Sequence, residues 1–253
     1  MLLAIIRWTP WLGIFHPLNS GVRKKLWWQG GLSLAAYIVT FNGALIFTSA
    51  SHVALYLGAS PVWALIWERA DGHVRHAVRR FAAASFALVG VLVLLWPALE
   101  QHSNTNLAGE LLGLGASVLW TNYGRQCRTL SSDLGAIEIT AHTMWRAGII
   151  LLPVAVVELY GRGVSFTPFQ LGVQAYCIVA GGGIAFALWN NSLRHWQTSR
   201  VLLFNNLIPL STMTWAFFCL GEPMTRTFWA AMILIATGVL MGQTTFSTKK
   251  PEA

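Results

Sequence analysis

Apolar segments of about 20 residues recur from one end of this chain to the other, and no other feature constrains its fold as strongly. A helix of that length crosses a hydrocarbon core about 30 Å thick. Of the 253 residues, 55% are hydrophobic and only 10% are charged, whereas a soluble domain carries about 25% charged residues. So few charges cannot cover a surface that faces water. The sequence therefore predicts an all-α polytopic membrane protein, whose 13 tryptophans suit bilayer interfaces.

The hydropathy pattern predicts about nine transmembrane helices. The expected spans are 1–15, 27–48, 53–68, 79–98, 108–126, 136–159, 169–193, 201–220 and 227–246. The first span is short for a full crossing and is interrupted by Arg7, and it lacks the charged start of a signal peptide. No long linker or soluble domain separates any two spans.

Basic residues predict the orientation of these spans, because cytoplasmic connections carry an excess of Lys and Arg. Alternate connections, together with the C-terminal tail, hold 13 of the 17 basic residues. We therefore expect these connections and the C-terminus to lie in the cytoplasm. The net charge of +8 does not indicate a nucleic-acid partner, because the charges lie in short loops between apolar spans.

An internal repeat becomes visible when the chain is shifted by 148 residues without gaps. Polar, small and helix-breaking residues then coincide in one register: Asn42 with Asn190, Pro61 with Pro209, Trp67 with Trp215 and Gly90 with Gly238. Such a register indicates duplication more strongly than shared Leu and Ala do. The predicted domains are an incomplete first copy, 1–99, a second copy, 107–246, and a cytoplasmic tail, 247–253. A unit with an odd number of helices, here five, inverts the second copy relative to the first.

Three stretches carry a resemblance to a known family. They are RVLLFNNLIPLSTMTWAFFCLGEPMTRTFWAAMILIATGVLMG at 200–242, LAGELLGLGASVLWTNYGRQCRTL at 107–130, and AYIVTFNGALIFTSASHVALYLGASPVWALIWE at 36–68. The chain resembles the drug/metabolite transporter superfamily, EamA-type, whose repeat closes on a similar Pro-containing helix, a Leu-Gly-Glu turn and an Ala- and Gly-rich helix. The resemblance implies ten helices in two inverted five-helix repeats, transport of small metabolites, and a bacterial inner membrane.

Two features depart from the family's pattern. The register of the repeat leads us to expect a first copy without its opening helix, and 71–73 reads Asp-Gly-His near the place of the Gly-Glu turn. Two functions therefore stay open. One is a transporter that exports amino acids or similar amphipathic or aromatic compounds by alternating access. The other is a truncated, transport-inactive membrane protein of the same family.

Two prolines and several amides interrupt spans that should be uniformly apolar. Pro61 and Pro209 fall mid-span, where proline removes an intrahelical hydrogen bond and favours a kink. In lipid, the freed carbonyl needs a partner or a cavity. We therefore predict a polar midplane site at the repeat interface. Its expected lining residues are Asn42, Tyr56, Trp120, Asn122, Asn190, Asn205 and Asn206. The alternative is that the amides bond neighbouring helices and the aromatic residues only pack.

Arg146 lies near the middle of the span 136–159, where a charge is costly unless it faces the protein interior and has a partner. As a further member of the predicted substrate-binding set, it would pair with a substrate carboxylate or phosphate. Snorkelling of the side chain, or bonds to backbone carbonyls, would explain Arg146 equally well.

Acidic residues fall near span ends or in the tail, so we expect no Asp or Glu at the midplane. This favours facilitated diffusion or exchange over carboxylate-based proton antiport. The sequence has no Walker, HExxH or GxSxG motif, and its three cysteines are dispersed. We expect no enzymatic activity, no metal and no cofactor. The expected partners are a small-molecule solute and the lipid bilayer, with a homodimer left open.

Overall fold

The computed structural model describes residues 18–72, 77–101, 106–162, 167–221 and 224–243, and the regular structure in these ranges is all helical. Eight long helices make up the described bundle. They are α1 (Ser20–Phe47), α2 (Ala50–Ala70), α3 (Ala77–Gln101), α4 (Leu107–Leu130), α5 (Ala136–Arg162), α6 (Pro168–His195), α7 (Thr198–Cys219) and α8 (Arg226–Gln243). The predicted span 1–15 and the predicted tail 247–253 lie outside the described residues.

Within the described ranges, seven of the helices are long and apolar enough to cross a membrane. The eighth, α4, has 24 residues and is more polar, because it carries Glu110, Arg125 and Arg128. The prediction of an all-α polytopic membrane protein is confirmed. Each predicted span from 27–48 to 227–246 overlaps one of these helices.

The clearest difference in helix boundaries is at the start of α1, which begins at Ser20 and not near residue 27. The Asn19 side chain caps this end by accepting a hydrogen bond from the Gly21 amide at 3.3 Å. The first turns then contain Arg23 and two lysines, which the sequence had suggested were in a loop. Long basic side chains can extend to the headgroups, so a membrane helix can continue past the hydrocarbon core.

Polar contacts join neighbouring helix connections at each of the two ends of the bundle. At one end, Arg125 pairs with Asp71 at 2.8 Å, and Lys25 pairs with Asp133 at 3.6 Å. We call this the basic end; the connections α2–α3, α4–α5 and α6–α7 lie here. At the opposite end, the backbone N–H of Asn106 donates a hydrogen bond to the Phe47 carbonyl at 3.4 Å. This bond joins the start of α4 to the end of α1.

Helices α2 and α7 are interrupted at equivalent positions. In α2, a first segment ends at Gly58 and a second begins at Ser60, which places Pro61 in the first turn of the second segment. In α7, a 3-10 turn over Phe204–Asn206 precedes a helix that begins at Leu207 and contains Pro209 in its first turn. Both prolines therefore lie within one turn after the irregular residues, which keep right-handed helical backbone angles, and the kinks expected at Pro61 and Pro209 stay a prediction. In a first turn, the missing N–H has no intrahelical acceptor to lose.

Two helices contain π-helical segments, Leu26–Gly31 in α1 and Cys177–Ala185 in α6. Such segments often mark functional positions and let a helix bend. In α6 the segment contains three successive glycines, 181–183, and no described neighbouring helix comes within 4 Å of the Cβ position of Gly181.

The contact between α3 and α8 shows how the two halves are related. A Cβ added at Gly90 on α3 would lie 3.0 Å from the backbone nitrogen of Ile235 on α8. A Cβ added at Gly238 on α8 would lie 2.6 Å from the backbone nitrogen of Ala87 on α3. Gly90 and Gly238 are 148 positions apart, and so are Ala87 and Ile235. The contact of Gly90 with Ile235 and the contact of Gly238 with Ala87 are therefore equivalent. A two-fold axis produces this pattern, which supports the predicted duplication.

A second contact locates the same axis. A Cβ added at Gly58 in α2 would lie 3.0 Å from Asn206 Oδ1 in α7. These residues are also 148 positions apart, and a residue touches its own equivalent only near the axis that relates them. The axis therefore passes between the breaks in α2 and α7.

We expect Gly238→Ala to lower the free energy of unfolding by about 1–3 kcal/mol, because a methyl group would press on the α3 backbone. The matched control is Gly148→Ala on α5, where no described atom outside the helix lies within 4 Å of the new methyl group. Thermal unfolding of the purified protein in detergent compares the two variants. An equal or higher midpoint for Gly238→Ala would contradict the close α3–α8 contact.

Candidate functional site

Five aromatic rings join α1, α4 and α6 into one cluster, which we call the aromatic cluster. Trp189 stacks on Trp120 with ring centroids 4.8 Å apart, and Tyr37 lies 4.9 Å from Trp120. Tyr123 lies nearly parallel to Trp189, with an angle of 7° between the rings, and Phe186 lies 5.9 Å from Trp120. The sequence prediction included Trp120 as a lining residue, but its partners come from helices that only the fold brings together.

A cavity of about 290 Å³ borders the aromatic cluster at Trp189 and lies between α6 and α7. Its lining residues are Trp189, Ser192, Trp196, Val201, Phe204 and Asn205. Trp196 and Phe204 are stacked, with centroids 6.0 Å apart. The cavity therefore offers aromatic faces together with one hydroxyl and one amide. This combination can hold a small solute that has an apolar body and a polar end.

A polar layer on α5 lies behind the aromatic cluster. Tyr123 Oη and Thr143 Oγ1 are hydrogen-bonded at 3.0 Å, and Asn190 Nδ2 donates to Thr140 Oγ1 at 2.8 Å. In the part of the chain that the structure describes, Asn190 Oδ1 and Trp189 Nε1 are buried without a hydrogen-bond partner. An acceptor and a donor close to the cavity are thus buried and unpaired among the described residues.

The structure brings only some of the predicted site residues together. Asn205 lines the cavity, and Trp120 and Asn190 lie in the neighbouring layers. Asn122 instead donates to Ser33 Oγ at 3.1 Å and links α4 to α1. Asn42 is exposed and donates to the Ile38 carbonyl of its own helix at 2.9 Å, so it lies apart from the cavity.

Tyr56 belongs to a different group of residues, which we call the Glu110 cluster. Glu110 on α4 accepts hydrogen bonds from Thr48 and from Tyr56, both at 2.6 Å. His52 Nδ1 lies 3.0 Å from Glu110 Oε1. This cluster ties α4 to α2 and the end of α1 at the opposite end of the bundle. Sequence reasoning missed it, although His52 and Tyr56 are four residues apart, a spacing that places them on one face of α2; Thr48 comes from the extended end of α1.

A second polar group lies at the basic end, and we call it the Glu68 cluster. Glu68 accepts hydrogen bonds from the Ser199 amide at 3.0 Å and from the Ser199 hydroxyl at 2.7 Å. The Arg80 guanidinium lies 3.5 Å from the same carboxylate and is buried. The cluster joins the end of α2, the start of α3 and the start of α7. Sequence reasoning placed Glu68 at a span end and did not predict these partners.

Asn206 contacts Gly58, its equivalent in the predicted repeat, and is fully buried. Among the described residues, neither its Nδ2 nor its Oδ1 has a hydrogen-bond partner. Asn206 was predicted to line a binding site. In the structure its side chain packs against Gly58. Burying an amide without hydrogen-bond partners is unfavourable, so this side chain lowers the free energy of unfolding.

Residues 107–242 match the pattern of the EamA-like transporter family, and this range is more than half of the chain. The protein therefore belongs to the EamA-like transporter family, which confirms the resemblance. It is an integral membrane protein.

Two relatives are described as transporters. An uncharacterized transporter of Archaeoglobus fulgidus is 23% identical over 180 residues, which are 71% of this chain and 62% of that protein. The uncharacterized transporter YyaM of Bacillus subtilis is 25% identical over 217 residues, which are 83% of this chain and 70% of that protein. The matched region thus spans less than two thirds of the archaeal relative.

A protein of known crystal structure has the same fold. It superposes with a TM-score of 0.77 at 15% sequence identity, and the match covers 96% of this chain and 81% of that one. At this identity, the likeness concerns the fold alone.

We expect Asn206→Leu to raise the free energy of unfolding by about 1–3 kcal/mol, because it removes an amide that is buried without partners. The matched control is Asn122→Leu, which should destabilise the protein because the Asn122 amide bonds Ser33. Thermal unfolding in detergent tests both changes. A lower midpoint for Asn206→Leu would show that its amide does find a partner.

We expect Tyr56→Phe to lower the free energy of unfolding by about 1.5–3 kcal/mol, because the phenol of Tyr56 donates a hydrogen bond to the Glu110 carboxylate. In a Glu110→Ala background the same substitution should leave the free energy of unfolding almost unchanged. A double-mutant cycle of unfolding free energies measures the coupling directly. Equal costs in both backgrounds would mean that the two side chains do not interact in solution.

Proposed function

We propose that this protein carries small amphipathic or aromatic solutes, amino acids among them, out of a bacterial cell by alternating access. The single observation that carries the proposal is the cavity beside Trp189 and Asn205, in a chain of a transporter family. Its volume of about 290 Å³ lies near the lower end of the usual range for ligand sites, which suits a small metabolite.

The lining of the cavity supports the choice of solute class. Trp189, Trp196 and Phe204 offer ring faces for an apolar or aromatic body. Asn205 and Ser192 offer hydrogen bonds, and Trp189 Nε1 is a buried donor without a partner among the described residues. We assign Asn205 and Trp189 as the main solute contacts, with Trp120 and Asn190 supporting them from behind.

The position of the cavity supports the direction of transport. It lies near the end of α6 and the start of α7, which is the basic end of the bundle. Excess Lys and Arg favours a cytoplasmic location for such an end, in the inner membrane, with the C-terminus on the same side. A solute would therefore load from the cytoplasm.

The two polar clusters support alternating access. The Glu110 cluster ties helices at one end, and the Glu68 cluster ties helices at the other. The two-fold axis passes between the broken helices α2 and α7, where half-helices can move with little loss of hydrogen bonding. Opening either side would separate the side chains of one cluster. EamA-family transporters are generally not enzymes, and we propose no catalytic role and no cofactor.

Uptake of labelled L-phenylalanine into reconstituted vesicles loaded with the unlabelled compound tests the function. We expect Asn205→Ala to slow exchange about 2–10-fold, because one hydrogen bond to the solute is lost. We expect Trp189→Ala to slow it more, because a stacking face is lost.

Asn42→Ala is the matched control. This asparagine is exposed and bonds its own helix, so exchange should be unchanged. Loss of exchange in Asn42→Ala alone would move the site to α1. Wild-type vesicles that exchange neither phenylalanine nor any other amino acid would favour the transport-inactive alternative.

A further inference from the structure

Arg146 is a buried cation on α5, one of the helices long and apolar enough to cross a membrane. It lies ten residues after Ala136, the first residue of α5, which corresponds to a depth of about 15 Å along the helix. On α1 the same level is Gly31, six residues after Lys25, so Arg146 lies inside the bundle and nearer to the basic end than to the opposite end. Only 2% of the residue is exposed, which shows that the side chain does not extend to the headgroups.

The contacts of Arg146 satisfy some of its donors but not its charge. One terminal nitrogen, Nη1, donates to the His142 carbonyl at 2.9 Å and lies 3.1 Å from His142 Nδ1. In the described ranges, Nε has no hydrogen-bond partner and no carboxylate forms an ion pair with Arg146. The bond to the His142 carbonyl is the backbone alternative considered above, and it leaves Nε and the positive charge without an anionic partner among the described residues.

Aromatic rings and a close backbone shape the surroundings of the guanidinium. Its central carbon lies 4.3 Å from the ring centroid of Trp145 and 5.4 Å from that of Trp27 on α1. A Cβ at Gly31 would lie 2.7 Å from Arg146 Cβ, so only glycine lets α1 pass here. Gly31 ends the π-helical segment of α1, and π-turns often occur at functional positions.

We infer that Arg146 binds an anionic group, a carboxylate or a phosphate, between α1 and α5. A guanidinium with an unpaired Nε binds planar anions through parallel hydrogen bonds. The indoles of Trp27 and Trp145 can pack against an aromatic body attached to the anion. The burial of Arg146 favours a solute over a lipid headgroup, because a ligand must enter between the helices to reach a side chain that is only 2% exposed. As the anchor for the carboxylate of a transported solute, the site rests on the function proposed above.

Thermal unfolding of the purified chain in detergent tests this inference without a transport assay. The probes are benzoate, an aromatic carboxylate, and benzyl alcohol, its neutral counterpart. Saturating benzoate should raise the apparent Tm of the wild type by about 2 °C or more, whereas benzyl alcohol should not. Arg146→Gln should abolish the shift, and Arg146→Lys should keep part of it because the charge remains. Arg125→Gln, at an exposed arginine that already pairs with Asp71, is the matched control and should respond like the wild type.

A parallel experiment separates the two sources of the anion. The same proteins are compared in nanodiscs of phosphatidylcholine with and without phosphatidylglycerol. An Arg146-dependent shift with benzoate assigns the site to a solute, and one with phosphatidylglycerol alone assigns it to a lipid. Equal responses of the wild type to benzoate, benzyl alcohol and both lipids would overturn the inference, even if Arg146→Gln fails to fold.

The vesicle assay then distinguishes this site from the function. A benzoate shift without amino-acid exchange would leave the anion site standing and remove the proposed transport. Exchange of phenylalanine that is unchanged in Arg146→Gln, with no benzoate shift, would remove the anion site and leave the carrier.

Discussion

The backbone contact between α3 and α8 sets the distance between the two halves of the bundle. Lipid tails are as apolar as leucine, so helices in a membrane associate through close packing and hydrogen bonds rather than through exclusion of water. Gly90 and Gly238 allow that packing because any side chain there would meet the partner's backbone. The same interface is formed twice about one axis, and the breaks in α2 and α7 face each other across it.

Several polar groups are buried without hydrogen-bond partners in the described part of the protein. Asn206 is buried between the broken helices without a partner in the described part of the protein, and Asn190 and Trp189 each leave one polar atom unpaired nearby. Each such group lowers stability, because lipid and apolar side chains supply no compensating bond. Stability is thus weakened where the helices are broken and where the cavity lies. Proteins often depart from the most stable packing at their functional sites.

The order and type of the helices could be predicted from the sequence because hydropathy over about 20 residues is a strong local signal. The repeat was also visible, since Asn, Pro and Gly matches in one register survive in apolar sequence. Contacts between helices were harder to predict. The Glu110 cluster joins residues 54 to 62 positions apart, and no local pattern tells which helix ends meet. Asn42 shows the converse limit, because an amide can bond its own helix and face outward.

The Glu68 cluster breaks the symmetry of the scaffold. Its equivalents, 148 positions along the chain, are Ala216 in place of Glu68 and Phe228 in place of Arg80. The far end of the bundle therefore cannot copy this buried ion pair and is joined by the Glu110 cluster instead. In the alternating access proposed above, two conformations related by the two-fold axis would be equally populated if the clusters that close them were equivalent. On that proposal, the unequal clusters would give the two conformations unequal free energies. The empty protein would rest in one of them, and a solute would shift the population only by binding the other more tightly.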